Sequence, residues 1–314
     1  MSTDDYEIID VHVHLFRNLV QEKAGVSHLG RRDRDLWGIP ERAIPFMDRT
    51  GISKAVLLIL FPTNEVTEAY LKKLPSTLSK RERAEAEEKI KSEMPDRLRR
   101  YNEWACEVGK QSNGRLIPFI GIQPILGKQG MVEELAIRNR EGAKGVKLHP
   151  AMNRVFPNDR QLWPMYEKCQ ELGMAILSDS GPFRGAPKGM EYGQPIHFAE
   201  VLRDFPRLTL ILAHMGGAFW DERVELAKQF PNVYFDTAQG FSTPESVAEH
   251  QERGLSASDA VRIIRKIGVE RIMFGTDGAH WEVLPQLEEI LGLDLTEQEK
   301  QMILAENAKR ILKI

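Results

Sequence analysis

Short apolar runs rich in β-branched residues alternate with longer amphipathic segments along most of the chain. Near-continuous apolar runs of this length predict strands of a parallel sheet that is buried on both faces. Eight such runs occur, at residues 8–15, 55–60, 116–123, 145–149, 174–179, 208–214, 233–236 and 271–275. Strand–helix alternation repeated eight times predicts an α/β fold, a (β/α)₈ TIM barrel, rather than an open doubly wound sheet.

The segments between the runs carry the spacing and the boundary residues of helices. Residues 96–113 and 159–172 each place apolar side chains along one helical stripe. Asp159 and Ser256 are predicted N-caps, and the residues predicted to end helices are Gly51, Gly173 and Gly268. No Gly/Ser-rich linker divides the chain, so we expect residues 1–314 to form a single barrel domain.

The connection between the second and third strands is longer than a βα loop requires. It spans residues 61–95, and residues 75–95 are mostly charged, helix-forming side chains. Ser79 and Glu82 have the spacing of a capping box. We therefore predict a helical insertion between strands two and three. A charged helix usually faces water, but insertions on βα loops lie at the active face of a barrel, so a lid or a subunit contact is the alternative.

Charge and composition narrow the range of partners and locations. The formal net charge of −3 gives no reason to expect nucleic acid or an anionic membrane as a partner. The N-terminus lacks the apolar stretch of a secretory signal, and no apolar run approaches the ~20 residues of a membrane span. Cys106 and Cys169 are predicted to be buried thiols rather than a disulfide. A cytoplasmic protein that acts on a small molecule is expected.

Two histidines of the first strand are candidate metal ligands. His12 and His14 are two residues apart, so their side chains point to the same side of a strand, which in a barrel can be the interior. Imidazoles are common ligands of Zn²⁺, Mn²⁺ and Fe²⁺, although this pair alone is weak evidence. Ionisable residues also end most of the later strands: Lys147, His149, Asp179, His214, Asp236 and Asp277. Because buried charges are costly unless paired or coordinated, this distribution favours a metal and a polar substrate at the C-terminal rim.

Together these motifs resemble the amidohydrolase-related family of TIM-barrel metal-dependent hydrolases and nonoxidative decarboxylases. The segments that carry the resemblance are Asp10-Val-His-Val-His14, Gly145-Val-Lys-Leu-His-Pro150, Leu212-Ala-His-Met-Gly-Gly217, Asn232-Val-Tyr-Phe-Asp236, Arg271-Ile-Met-Phe-Gly-Thr-Asp277 and residues 305–312. The resemblance extends over essentially the whole chain apart from residues 61–95.

The resemblance implies a metal site and its catalytic residues. His12, His14 and Asp277 would bind a divalent metal ion, with Zn²⁺ as the first expectation and Mn²⁺ as the alternative. His214 and Asp277 would act in catalysis, and His214 would either bind the metal or polarise the substrate and transfer a proton.

The fifth strand departs from the family pattern. The family usually has Leu-Ile-His-Thr-Gly with a ligand histidine, whereas this chain has Leu177-Ser-Asp-Ser-Gly181. Asp179 therefore takes the position of a ligand. We predict that Asp179 binds the metal directly or through water, and the alternative is a turn residue that leaves the site weakened or empty.

The remaining polar residues of the rim are assigned to substrate contacts or to support. Lys147, His149 and His280 are predicted to bind the substrate. Alternatively, Lys147 pairs with a carboxylate or carries a carbamate between two metals, as in binuclear relatives. Asp236 is expected to order loops, and Asp10 to support the end of the first strand.

These residues predict a metal-dependent hydrolase of the amidohydrolase type that acts next to a carbonyl of a small carboxylated or aromatic molecule. Asp277 would accept a proton from water, and His214 would stabilise charge on the carbonyl oxygen. The same residues could serve a nonoxidative decarboxylase, in which Asp277 delivers a proton to carbon. A barrel that lost its metal and only binds a ligand is the third alternative. A homodimer is the expected assembly.

Overall fold

The predicted strands form one parallel sheet in the computed structural model, which describes residues 6–27, 32, 35–181, 190–215, 219–239 and 256–314. Their order around the sheet follows the chain: β1 (Ile8–Val13), β2 (Ile52–Leu58), β3 (Leu116–Gly121), β4 (Gly145–Leu148), β5 (Ala175–Ser178), β6 (Leu210–Leu212), β7 (Val233–Asp236) and β8 (Ile272–Met273). The amide of Val11 donates to the carbonyl of Phe274 at 2.9 Å, and Val13 forms a parallel bridge with Gly278. These contacts join β8 to β1, so the architecture is the predicted TIM barrel.

Helices separate the strands. Those in the described residues are α1 (Leu19–Gly25), α2 (Pro40–Thr50), α3 (Thr63–Lys72), α4 (Lys80–Gln111), α5 (Gly127–Arg140), α6 (Pro150–Asn153), α7 (Trp163–Leu172), α8 (Phe198–Asp204), α9 (Trp220–Gln229), α10 (Ala257–Ile267), α11 (Val283–Gly292), α12 (Glu297–Gln301) and α13 (Asn307–Leu312), with a π-helical turn at Met302–Glu306. The predicted boundary residues are confirmed as caps: Asp159, Ser256, Gly51, Gly173 and Gly268.

The core has two layers, because successive strand side chains point to opposite faces of the sheet. One layer fills the barrel interior and includes Val11, Phe119 and Leu177. The other packs the outer faces of the strands against the helices and includes Leu57 and Ile120. Polar residues that continue the interior-facing rows beyond the apolar layer therefore line the mouth of the barrel.

An irregularity in β1 determines the face that His12 and His14 occupy. Val11 packs in the barrel interior, whereas Val13 packs in the outer layer. The register between β1 and β2 shifts between Asp10 and Val13. A shift of this kind reverses the alternation of faces. His12 and His14 consequently point into the barrel mouth, on the opposite side from Val13.

The charged segment before residue 95 and the amphipathic segment after it form one helix rather than two. α4 runs without interruption through both and contains Pro95. Met94 and Leu98 are both buried, so the apolar stripe continues across the proline and its packing offsets the lost backbone hydrogen bond. The predicted helical insertion is therefore present and is continuous with the helical stripe predicted at residues 96–113.

The first half of α4 extends beyond the C-terminal rim of the barrel. Leu98 packs against Gly121 at the end of β3. The helix begins at Lys80, so at 1.5 Å per residue about 27 Å of helix precedes this contact. We call Thr63–Lys72 together with residues 80–93 the α3–α4 projection. Its role as a lid or a subunit contact stays a prediction.

Side-chain contacts hold the projection together. The guanidinium of Arg97 donates to the hydroxyl of Tyr70 at 3.0 Å and lies over its ring at 4.6 Å. Ser79 and Glu82 form the predicted capping box at the start of α4.

In the described part of the chain, no helix combines the length and apolarity needed to cross a bilayer. Cys106 and Cys169 are buried free thiols, as predicted.

Candidate active site

The structure brings His12, His14 and Asp277 together at the mouth of the barrel. Nε2 of His14 lies 3.1 Å from Oδ1 of Asp277, and Nε2 of His12 lies 3.6 Å from the same oxygen. One ligand atom of each residue lies within 4.8 Å of the other two. Two imidazole nitrogens and one carboxylate oxygen at this spacing suit a divalent metal that keeps open coordination positions. We call these three residues the ligand cluster.

The far ring nitrogens orient the two imidazoles for ligation. Nδ1 of His12 is 2.8 Å from Oδ2 of Asp236, and Nδ1 of His14 is 3.0 Å from the carbonyl oxygen of Leu58. Because each acceptor requires the proton on Nδ1, both Nε2 atoms present lone pairs to the centre of the cluster. Burial, assisted by the Lys147 cation, lowers the pKa of His12 to about 4, so its ring is neutral at neutral pH. The donor set fits a divalent metal.

A hydrogen bond from Gln239, a residue that the sequence analysis did not single out, fixes the carboxylate of Asp277. The side-chain amide of Gln239 donates to Oδ2 of Asp277, and the backbone amide of Gln239 donates to Oε1 of Gln286 at 2.8 Å. Burial favours the neutral acid, but the close contact with His14 and the nearby imidazoles of His12 and His214 hold the pKa of Asp277 well below its usual range. Oδ1 therefore stays ionised and directed at the histidines.

Backbone strain occurs at both residues predicted to be catalytic. Asp277 has φ 58° and His214 has φ 60°. A left-handed conformation costs a residue other than glycine roughly 1–3 kcal/mol and persists only where the surroundings impose it. The strained turns direct both side chains toward the mouth.

Asp236 connects the two halves of the site. In addition to its contact with His12, its Oδ1 accepts the backbone amides of His214 and Ala238, each at 3.0 Å. Burial would raise the pKa of Asp236, but His12 and His214 outweigh it and lower the pKa. His12, His214 and Asp236 are also close enough to hold an ion. Because the hydrogen bonds already engage both oxygens of Asp236, we assign it to positioning. The predicted ordering of loops was only part of its role.

Asp10 lies outside the ligand cluster and braces the loop that carries Asp277. Its Oδ1 accepts the amides of His12 and Thr276 at 3.0 and 3.1 Å, and its Oδ2 accepts the hydroxyl of Thr276 at 2.5 Å. Burial raises the pKa of Asp10 to about 7 against the lowering effect of these hydrogen bonds. The supporting position agrees with the expectation for this residue.

Asp179 lies beside the ligand cluster among three basic groups. Its Oδ2 is 3.3 Å from Nε2 of His214, 3.5 Å from Nε2 of His149 and 3.6 Å from Nζ of Lys147. Burial opposes ionisation, but His149, His214 and Lys147 together hold the pKa of Asp179 well below its usual value. Neither potential ligand group found among the described residues includes Asp179. Metal binding by Asp179 stays a prediction.

Both ring nitrogens of His214 face acceptors. Nδ1 is 2.9 Å from the carbonyl oxygen of Ala238, and Nε2 is 3.3 Å from Oδ2 of Asp179. An imidazole that donates from both nitrogens is an imidazolium. Burial disfavours the charged ring, but Asp179 outweighs it and raises the pKa of His214 to about 9. The ring lies 5.0 Å from that of His12 between centroids, so a protonated histidine adjoins the ligand cluster.

The other predicted substrate contacts lie around the same mouth. The amide of Met152 donates to Nδ1 of His149 at 3.3 Å, so His149 caps α6, and burial lowers its pKa to about 4. The ring of His280 packs edge-on against His14 and Phe16, with centroid distances of 5.1 and 5.2 Å. Their contact with substrate stays a prediction.

In the sixth-strand motif, which contains His214, Gly216 and Gly217 lie outside the described residues.

Known proteins resemble this chain both in sequence and in fold. A family model described as amidohydrolase matches residues 9–314. The structure of 2,6-dihydroxybenzoate decarboxylase from Rhizobium has a TM-score of 0.70 and 16% identity over 98% of this chain and 99% of that chain. A dihydroxybenzoic acid decarboxylase from a Polaromonas species, solved with manganese and the inhibitor 2-nitroresorcinol, has a TM-score of 0.69 and 17% identity over 98% and 97%. At these identities the likeness shows the fold alone.

A sequence relative matches a much shorter stretch. A dihydroorotase from Helicobacter hepaticus is 41% identical over 71 residues, which is 22% of this chain and 19% of that enzyme. The chain thus covers less than a fifth of this relative's length. The family model, by contrast, covers the whole ligand cluster, from His12 to Asp277. The chain therefore belongs to the amidohydrolase family.

Proposed function

We propose that this protein is a metal-dependent nonoxidative decarboxylase of a small aromatic acid. The observation that carries the proposal is the hydrogen bonding of His214, whose ring nitrogens face the carbonyl of Ala238 and the carboxylate of Asp179 at 2.9 and 3.3 Å. Loss of CO₂ requires a proton for the carbon that bore it, whereas hydrolysis begins with removal of a proton from water. An imidazolium beside the ligand cluster suits the first requirement. Two structural neighbours, which are named as dihydroxybenzoate decarboxylases, also support decarboxylation.

His12, His14 and Asp277 would hold the metal. A divalent ion there supplies positive charge that attracts an anionic substrate and stabilises negative charge on its oxygens. Both zinc and manganese take imidazole and carboxylate ligands. The manganese bound by the Polaromonas neighbour favours the ion that the sequence suggested as the alternative.

Lys147 and His280 would orient the substrate. Nζ of Lys147 lies 3.2 Å from Nε2 of His12, and its side chain is 1% exposed. A buried cation beside the ligand cluster suits a carboxylate or phenolate oxygen. The ring of His280 lies 5.1 Å from that of His14 between centroids, and a flat aromatic substrate would pack against it. These contacts favour an aromatic acid that also carries a hydroxyl group.

In the proposed reaction, the proton on Nε2 of His214 moves to the ring carbon that carries the carboxylate. The bond between that carbon and the carboxylate then breaks, its electron pair returns to the ring, and CO₂ leaves. Asp179 stays ionised throughout and holds the imidazole in place. His214 recovers its proton from solvent water before the next turnover.

A hydrolase is the second candidate, and the dihydroorotase-like stretch of 71 residues is the observation that favours it. In that reaction Asp277 would accept a proton from water, and His214 would stabilise charge on the carbonyl oxygen. The two acceptors that hold His214 as a proton donor beside the ligand cluster support decarboxylation better.

Product analysis separates the candidates. Metal content is measured first on protein purified without chelators, since a protein with no metal affinity would be a ligand-binding barrel. The protein supplied with Mn²⁺ or Zn²⁺ is then assayed for CO₂ release from hydroxybenzoates and for hydrolysis of cyclic amides such as dihydroorotate. In D₂O the decarboxylated product should carry one deuterium at the carbon that lost CO₂, and H214N should lose the activity. Amide hydrolysis without CO₂ release from any acid would overturn the proposal.

A further inference from the structure

Arg223 in α9 is completely buried close to the site. Its Nη2 donates to the carbonyl of Ser180 at 2.5 Å and lies 3.4 Å from the Ser180 hydroxyl, and its Nη1 donates to the carbonyl of Met215 at 3.3 Å. Ser180 directly follows Asp179, and Met215 directly follows His214. One guanidinium therefore contacts the peptide groups next to both members of the Asp179–His214 pair.

A guanidinium in this position is costly. Burial lowers the pKa of Arg223 to about 10, against the opposing effect of carboxylates that include Asp236. An apolar side chain of similar volume would fill the space without the desolvation penalty of a buried charge. The position thus exchanges stability for hydrogen bonds that an apolar residue cannot make.

The strand ends that Arg223 contacts are already joined to each other. The hydroxyl of Ser180 donates to the carbonyl of Ala213 at 2.8 Å, which links the end of β5 to the end of β6. Arg223 spans the same two ends from the side of α9. The distance of 3.3 Å between Oδ2 of Asp179 and Nε2 of His214 depends on the separation of these ends.

We propose that Arg223 is a positioning residue that clamps the ends of β5 and β6 and thereby maintains the contact between Asp179 and His214. The effect on turnover rests on the proposed function of His214 as proton donor. The effect on the geometry of the pair does not depend on which reaction the protein catalyses.

The test compares R223K with R138K in the metal-loaded protein. Lysine keeps the positive charge but cannot hydrogen-bond two separate carbonyls in the planar geometry of a guanidinium. Arg138 is a matched control because it is also buried, with 8% exposure, and its hydrogen bonds go to Glu134 in α5 and to Glu141 directly after it, away from the mouth. Melting temperature and metal content are measured for both variants before any kinetics.

We expect R223K to lower kcat by about tenfold or more while KM changes by less than about twofold, as small misplacements of catalytic groups do. R138K should keep its kcat even where its melting temperature falls as far. In NMR spectra, the Nδ1 proton of His214 should shift or broaden in R223K and stay unchanged in R138K. That signal tests the clamp even if no decarboxylation is found.

Two outcomes would overturn the proposal: an unchanged His214 signal in R223K, or an equal loss of kcat in R138K. If R223K does not fold, S180A provides the second test, because it removes the hydroxyl that faces both Arg223 and the Ala213 carbonyl. S180A should shift or broaden the Nδ1 proton signal of His214 relative to the wild type. A folded S180A with an unshifted signal would also overturn the clamp.

Discussion

Oδ2 of Asp236 lies 2.8 Å from Nδ1 of His12, and this contact determines which nitrogen of His12 faces the ligand cluster. Both side chains are completely buried, so solvent does not screen the interaction. The other oxygen of Asp236 accepts the backbone amides of His214 and Ala238. A single carboxylate therefore orients a predicted metal ligand and the turn that carries the proposed proton donor.

Replacement of Asp236 by asparagine should weaken metal binding. D236N removes the negative charge that stabilises the Nδ1–H tautomer of His12, and such a loss lowers metal affinity by about 10–100-fold. Competition with a chromophoric chelator measures the affinity. D48N serves as the control, because Asp48 is exposed and pairs with Arg115 outside the site. Equal affinity in D236N and the wild type would contradict this assignment.

The role of Asp179 is decided by the variant D179A. If Asp179 binds the metal, as the sequence predicts, the affinity should fall by about 10–100-fold for a water-bridged contact and by more for a direct one. S178A changes a neighbouring side chain that hydrogen-bonds only locally in the described structure, and it should keep full affinity. Full metal content in D179A with lost turnover would restrict Asp179 to holding His214.

The pH dependence of stability should reveal the ion pair between His214 and Asp179 in metal-free protein. The pKa of His214 is raised from 6.5 to about 9 in the folded state. Its stabilising contribution is therefore complete below about pH 6.5 and is lost as the pH rises to about 9, a change on the order of 3 kcal/mol. Denaturant unfolding of the wild type and H214N measures it as the difference between their free energies of unfolding.

That difference should shrink between pH 6 and pH 10. Most of the change should fall between the ordinary pKa of 6.5 and the folded pKa of about 9. Asp10, whose folded pKa is about 7, also changes the stability with pH, but it does so in both proteins and cancels in the comparison. A difference that stays constant over this range would mean that His214 is not held as an imidazolium by Asp179.

Shortening the α3–α4 projection should affect function or assembly more than folding. Deletion of residues 77–90 removes about three turns of α4, which begins at Lys80, and leaves the buried Met94 and Leu98 in place. We expect a higher KM for a lid, or a lower mass by light scattering for a subunit contact, with little change in melting temperature. The double variant R81A/E85A, which breaks only an exposed ion pair of the same segment, is the control. Unchanged KM and unchanged mass would leave the projection a solvated surface helix.

The barrel could be predicted from the sequence because its causes are local. Apolar runs with the length of strands, helical stripes between them and caps such as Ser256 and Gly173 depend on the spacing of neighbouring residues. Period-two spacing also placed His12 and His14 on one side of their strand. The ionisable strand ends indicated the C-terminal rim, because parallel strands bring those ends together.

Contacts between distant segments were decided only by the tertiary structure. The register irregularity in β1 turns His12 and His14 into the mouth, and no local spacing indicates it. Gln239 and Arg223 carry no motif, yet the closure of the barrel brings one to Asp277 and the other to the ends of β5 and β6. Hydrogen bonding and burial depend on such long-range neighbours, so the sequence alone determines which residues are available at the rim, and the fold determines what each one contacts.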